Sequence, residues 1–179
     1  MRKLKNSELG RLNIEEFKSV DKIPLIVILD NIRSLNNIGS VFRTSDAFLV
    51  DKIYLCGITA TPPHKDIHKT ALGATESVDW EYVENIMDLI EKLKGANFKI
   101  VSIEQAKNST GLQNFKVLKD HKYAVIFGNE VKGIRQKVVS CSDICLEIPQ
   151  FGTKHSLNIS VSCGVVLWDL FNKMKLQNG

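Results

Sequence analysis

Long apolar runs are missing from this chain of 179 residues. No window approaches the roughly eighteen uninterrupted apolar residues of a membrane span, and Met1-Arg2-Lys3-Leu4-Lys5-Asn6 lacks the apolar core of a signal peptide. A cytoplasmic protein with no membrane partner is expected. Cysteine is scarce too. Cys56, Cys141, Cys145 and Cys163 form no C-x-x-C pair and no histidine stands at metal-ligand spacing, so reduced, mostly buried thiols are expected and no metal site. There is no G-x-G-x-x-G after the first apolar segment and no Walker A sequence, which argues against a dinucleotide or nucleoside triphosphate site. There is no G-x-S-x-G elbow either, and adjacent His155 and Ser156 point different ways at a helix start, so a serine hydrolase is excluded. Internal repeats and linkers are also absent.

What is present is the composition of one ordinary globular domain, with 44% hydrophobic and 25% charged residues. The net charge of +4 is a mild bias compatible with a nucleic-acid partner. Much of the excess sits at the ends, in Arg2, Lys3, Lys5 and Arg11 and in Lys173 and Lys175. Residues 1–22 read as a basic arm, helical in part, with Leu9, Leu12, Ile14 and Phe17 as possible anchors; the domain proper is read as residues 23–179.

From Pro24 the pattern changes. Leu25-Ile26-Val27-Ile28-Leu29 is a continuous apolar run, as in a strand buried on both faces of a parallel sheet. Further strands are expected at 52–56, 98–103, 123–127 and 144–148, and helices at 38–48, 84–94, 135–140 and 156–175. Residues 57–69 read as loop. Thr70 to Glu76, rich in small residues, reads as a segment of close approach rather than core. The last helix is apolar on more sides than a surface helix needs, which implies the core or a subunit interface. The fold expected is a single α/β domain on a mainly parallel sheet flanked by helices, with ligands beyond the carboxyl ends of the strands.

Three strand-end loops carry site-like residues. They follow Leu29, Phe127 and Ile148. The third runs from Ile148-Pro149 through Gly152 to Ser156 and Asn158 at the start of the last helix, where unpaired N–H groups and the helix dipole favour a polar ligand. Taken by itself the same stretch reads equally well as a turn capping a helix.

Together the three loops resemble the SpoU, or TrmH-like, branch of the SPOUT RNA methyltransferases. Asn37-Ile38-Gly39-Ser40-Val41-Phe42-Arg43 is similar to its first motif, N-x-G-x-x-x-R. Gly128-Asn129-Glu130-Val131-Lys132-Gly133 is similar to its second, G-x-E-x-x-G, and Ile148-Pro149 through Ser156-Leu157-Asn158-Ile159-Ser160 to its third. Order and spacing match over about residues 24–172, and Lys69 to Ala74 resembles the family's small-residue loop. The resemblance implies methyl transfer from S-adenosylmethionine to a ribose 2′-hydroxyl in structured RNA, tRNA ahead of rRNA, by a homodimer with a carboxyl-terminal trefoil knot. Carried over by motif, Gly128, Ile148 and Leu157 would hold the cofactor, and Arg43, Asn37, Glu130, Ser156 and Asn158 would form the catalytic set.

Arg43, with Lys154 and His155, would face RNA, although those last two are equally read as ordinary exposed residues. An arginine stays protonated, so Arg43 suits charge stabilisation at the ribose oxygen better than proton abstraction. Glu130 would pair with Arg43, to fix its geometry or as a structural ion pair, while Asn37 and Asn158 would orient the hydroxyl or lock the loops. Gln150-Phe151 and Ser162 depart from the family's common residues beside the cofactor. The alternative is a non-catalytic knotted RNA-binding homologue, against which the intact motif residues speak.

Overall fold

In the computed structural model, which describes residues 1–176, seven strands form one sheet in the order β3-β2-β1-β6-β4-β7-β5, and every neighbouring pair is parallel. The strands are β1 (Ile23–Asp30), β2 (Val50–Cys56), β3 (Asp79–Val83), β4 (Phe98–Ile103), β5 (Thr110–Gly111), β6 (Lys122–Phe127) and β7 (Ile144–Glu147). Alternate residues of the central strands enter two separate cores. Leu25, Val27 and Leu29 of β1 join Val125 and Phe127 of β6 on one face. Ile26 and Ile28 join Ala124 and Ile126 on the other. A continuous apolar run is therefore required, because neither face meets water.

The first face carries α1 (Ile14–Ser19), α2 (Leu35–Ala47), α3 (Lys65–Ala71), α4 (Ala74–Ser77) and α7 (Ile159–Phe171); the second carries α5 (Ile86–Gly95) and α6 (Gln136–Cys141). Ser34 caps α2 by accepting from the Asn37 N–H, which starts that helix three residues before the apolar periodicity does. In α5, Ile86, Leu89, Ile90 and Leu93 share the buried side, as their spacing requires.

Several sequence expectations are corrected. The 57–69 loop ends in α3, and two strands, β3 and β5, went unread, the first because only part of Asp79–Val83 is apolar. The small-residue stretch is core in part: Ala71, Ala74 and Thr75 are buried, whereas Leu72, Gly73 and Glu76 are exposed. Close approach does occur there. A side chain on Gly39 of α2 would come within 2.1 Å of Thr70 Oγ1 and 2.2 Å of the Ile67 carbonyl, so α3 rests directly on the α2 backbone. Of the four possible anchors in the arm only Phe17 is buried. The final helix starts at Ile159 rather than Ser156, and β7 is half-buried apart from Leu146. All four thiols are free, but only Cys56 and Cys163 are buried.

Phe48, at the end of α2, packs against Trp168 at 5.8 Å and Phe171 at 5.6 Å between ring centres. This aromatic cluster fastens α7 to α2. On its outer side α7 leaves Val161, Val165 and Trp168 exposed, a stripe at helical spacing. Among the described residues no helix is long and apolar enough to cross a membrane, and no cluster of side chains could hold a metal ion.

Candidate active site

The carboxyl ends of β4, β6 and β7 open into a cavity of about 960 Å³, lined by Ile103, Phe127 and Ile148 at the strand ends and by both loops that follow β6 and β7. This is where a parallel sheet offers ligand space, and the volume lies at the upper end of small-molecule sites.

The loop after β6 is built to fold back on itself. Asn129 accepts the N–H groups of Val131 and Lys132 through its side-chain oxygen, both at 3.0 Å, while its carbonyl accepts from Gly133 N–H at 2.8 Å. A side chain on Gly128 would sit 2.5 Å from the backbone at Gly133 and Ile134, so residue 128 is glycine because the returning chain lies against it. Gly133 has φ +63° and rests on Glu104, whose Oε2 accepts from Ile134 N–H at 2.9 Å. The same carboxylate takes the Gln105 N–H, and Gln105 Nε2 donates to the His155 carbonyl at 2.6 Å. Glu104 and Gln105 thus join the second loop to the third.

Glu130 joins the second loop to the first. Its Oε2 accepts from Arg33 N–H at 3.1 Å, and its Oε1 from Ser34 N–H at 3.0 Å and Asn37 Nδ2 at 3.2 Å. Burial alone would raise this carboxyl. The N–H groups of Arg33, of Glu130 itself and of Ser34, with the Asn37 amide, more than offset it and hold Glu130 below the ordinary carboxylate range. Asn37 in turn accepts from Asn158 Nδ2 at 3.2 Å, and Asn158 Oδ1 caps α7 through the Ser160 N–H at 2.9 Å. One chain of hydrogen bonds, Asn158 to Asn37 to Glu130, therefore ties all three motif loops together. Asn37 and Asn158 serve here as locks between loops.

Gly128, Ile148, Leu157, Glu130, Ser156, Asn158 and His155 all line the cavity. Arg43 does not. It lies six residues beyond Asn37 on α2, about 9 Å along the axis and a third of a turn around it. There, exposed and without a hydrogen-bonded or ionic partner among the described residues, it lines a separate cleft of about 480 Å³ with Arg11, Leu49 and Leu72. The expected Glu130–Arg43 pair is absent: Glu130 is engaged by α2's amino-terminal turn instead. Lys154 and His155 are exposed on the third loop, though only His155 lines the cavity.

Sequence reading missed Glu104, Gln105, Asn129 and the buried Asp30. Burial raises the Asp30 carboxyl, and Arg135, 3.6 Å away, opposes this in part. Asn31 beyond it receives Asn129 Nδ2 on its carbonyl at 2.8 Å. The one signal available was position, since Asp30 and Glu104 are the first acidic residues at the ends of apolar strands.

Comparison with known proteins places the chain in a family. The model of the SpoU rRNA Methylase family matches residues 24–168. A Staphylococcus aureus protein named as a TrmH family tRNA/rRNA methyltransferase is 29% identical over 160 residues, which is 89% of this chain and 63% of the relative. The chain thus spans somewhat less than two thirds of that relative's length. The TrmH/SpoU tRNA modifying enzyme of A. aeolicus superposes with a TM-score of 0.81 at 25% identity, covering 92% of this chain and 82% of that one. An AdoMet-bound rRNA methyltransferase from Sinorhizobium meliloti superposes with a TM-score of 0.78 at 23% identity, over 88% of this chain and 59% of that one. With the matched region running from β1 through most of α7, the chain belongs to the SpoU rRNA Methylase family.

Proposed function

We propose that this chain, as a homodimer, transfers the methyl group of S-adenosylmethionine to the 2′-hydroxyl of a ribose in structured RNA, with tRNA ahead of rRNA as substrate class. The observation that carries the reading is the set of hydrogen bonds through Glu130, Asn37 and Asn158 that ties the first motif to the two motif loops lining the cavity. Residues 1–22 act as an arm on a methyltransferase domain that begins at residue 23, and the chain after β7 threads a trefoil knot. In support of the knot, Gln105 is bonded to His155, and Lys173, just beyond α7, donates to the Leu112 carbonyl at 2.8 Å.

The cavity fits the cofactor in size and in lining. Apolar walls at Ile103, Phe127 and Ile148 suit an adenosine, and the exposed peptide groups of the second and third loops suit its polar edges. Gly128, Ile148 and Leu157 would hold it. When bound, it supplies a methyl group made electrophilic by a sulfonium sulfur.

The chain's own residues then have two tasks. The first is to hold a poor nucleophile in line, for which Ser156 Oγ and the second hydrogen of Asn158 Nδ2 are available at the cavity. The second is to stabilise the negative charge that develops on the ribose oxygen as its proton leaves. A fixed, permanently protonated guanidinium does this well. Arg43 faces a different cleft of its own protomer, so we assign the task to Arg43 of the partner subunit. The exposed stripe Val161, Val165 and Trp168 lies on α7, the helix packed against α2, and supplies the apolar face for that dimer.

The test is calorimetry with S-adenosylmethionine, followed by transfer of its labelled methyl group to separate pools of unmodified tRNA and rRNA. Binding with transfer to one pool supports the proposal. Binding without transfer to either favours the non-catalytic RNA-binding homologue.

A further inference from the structure

We infer that Phe151 is a nucleobase platform at the mouth of the cavity: a base next to the methylated ribose stacks on its ring, and Lys154, with His155 and Lys132, meets the adjoining phosphates. This rests on the RNA reading above and names how that RNA is gripped.

Phe151 is 97% exposed, which leaves its ring without packing in its own chain. A single exposed ring is ordinary on a protein surface by itself; the setting of Phe151 beside the cavity and among cations is what points to a partner. Three observations specify the partner. The loop from Pro149 to Asn158 contains no acidic residue, while Lys154 and His155 follow Phe151 within four positions and are both exposed. The loop is also held to the site rather than free of it: Gln105 fixes the His155 carbonyl, and Gln150 and His155 on either side of Phe151 line the cavity. Finally, the second loop also carries an apolar residue and a cation at this cavity, Val131, 77% exposed, and Lys132. Both loops at the cavity therefore offer an exposed apolar side chain followed by a cation. Alternation of that kind suits single-stranded nucleic acid, whose bases stack while its phosphates need positive charge.

The exposed stripe on α7 is different in kind. Val161, Val165 and Trp168 stand in a helix that contains no lysine or arginine from Ile159 to Phe171. Its chemistry suits a second copy of the chain. The chemistry of the Phe151 loop suits RNA.

The experiment compares wild type, Phe151→Ala, Phe151→Trp and Lys154→Ala. The readouts are affinity for the bulk tRNA and rRNA pools at several salt concentrations, S-adenosylmethionine affinity by calorimetry, and mass by light scattering. Loss of a stacked base weakens binding about five- to a hundredfold. Phe151→Ala should show that loss for the substrate pool, Phe151→Trp should stay within about twofold of wild type because any flat ring serves, and Lys154→Ala should lower the salt slope of log K by about 0.7. Cofactor affinity and mass should not move. Wild-type RNA affinity in Phe151→Ala would overturn the inference, as would tryptophan binding as poorly as alanine. A shift of Phe151→Ala to half the mass would overturn it in favour of a second copy as the occupant. If the binding pattern appears but wild type transfers no methyl group to RNA, the platform stands and the proposed activity fails.

Discussion

Replacing Glu130 by glutamine tests the feature on which the site depends most. The substitution preserves volume and one carbonyl oxygen. That oxygen can keep the Ser34 N–H and the Asn37 amide, both now received by Oε1, but the new NH₂ group then faces the Arg33 N–H that Oε2 receives at 3.1 Å. A donor meets a donor, and the two surviving bonds lose their charge assistance. Hydrogen bonds to charged groups contribute about 1.5–3 kcal/mol each, and the half-buried position argues for the lower end, so Glu130→Gln should cost about 1.5–2 kcal/mol. For a domain of this size that is about 4–6 °C in Tm. Because Asn37 and Asn158 depend on the same carboxylate, cofactor affinity should fall as well, about tenfold. Urea unfolding and calorimetry measure the two effects.

The pH dependence follows from the same contacts. A depressed carboxyl contributes stability that is present above the unfolded-state value and is lost as pH falls through the folded one, so wild type and Glu130→Gln should converge in stability as pH falls below the ordinary carboxylate range. Equal stability and equal cofactor affinity at pH 7 would refute the reasoning.

Further expectations follow from other contacts. Gly128→Ala places a Cβ 2.5 Å from the backbone at Gly133 and should displace the second loop, with cofactor binding lost in calorimetry while far-ultraviolet circular dichroism keeps the native spectrum. Val161→Asp puts a charge in the exposed α7 stripe and should yield a folded monomer by light scattering, inactive but able to titrate cofactor. Mixing dimer-competent subunits is informative: in a forced heterodimer, a subunit with Arg43→Ala paired with one carrying Gly128→Ala should retain one complete site and up to half of wild-type activity. Under native conditions at pH 8, iodoacetamide should modify Cys141 first, because Cys56 is buried with its thiol pushed up to about 12 and Cys163 is fully buried with its thiol raised further. Peptide mass spectrometry reads that order.

The sheet was legible where strands are buried on both faces. Leu25 to Leu29 and Tyr123 to Phe127 are uninterrupted enough that no helix or surface strand fits them. Strand β3 escaped because Asp79 and Glu81 interrupt it at the sheet edge, where one side meets solvent. Helix α3 escaped for the opposite reason, since a helix resting on Gly39 needs small residues where a reader looks for large ones. The motifs placed Asn37, Glu130 and Asn158 in one neighbourhood, and their contacts bear that out. Their bonding partners were not legible. Glu130 meets backbone N–H groups that any sequence would supply, and the residues that complete the frame, Glu104 and Gln105, belong to a loop with no motif of its own. Arg43 was legible as a motif member but not as a resident of another cleft, because helical phase separates it from Asn37 only once the contacts of Asn37 fix which face is inward.

The central claim, ribose methylation, is tested most directly at the level of the nucleoside. RNA labelled by this protein from S-[methyl-³H]adenosylmethionine would be treated with alkali, which cleaves only where a free 2′-hydroxyl can attack the neighbouring phosphate, and then digested and resolved by liquid chromatography with mass spectrometry. The label should survive alkali in dinucleotides and end in a 2′-O-methylated nucleoside. Label released in mononucleotides and carried by a methylated base would contradict it.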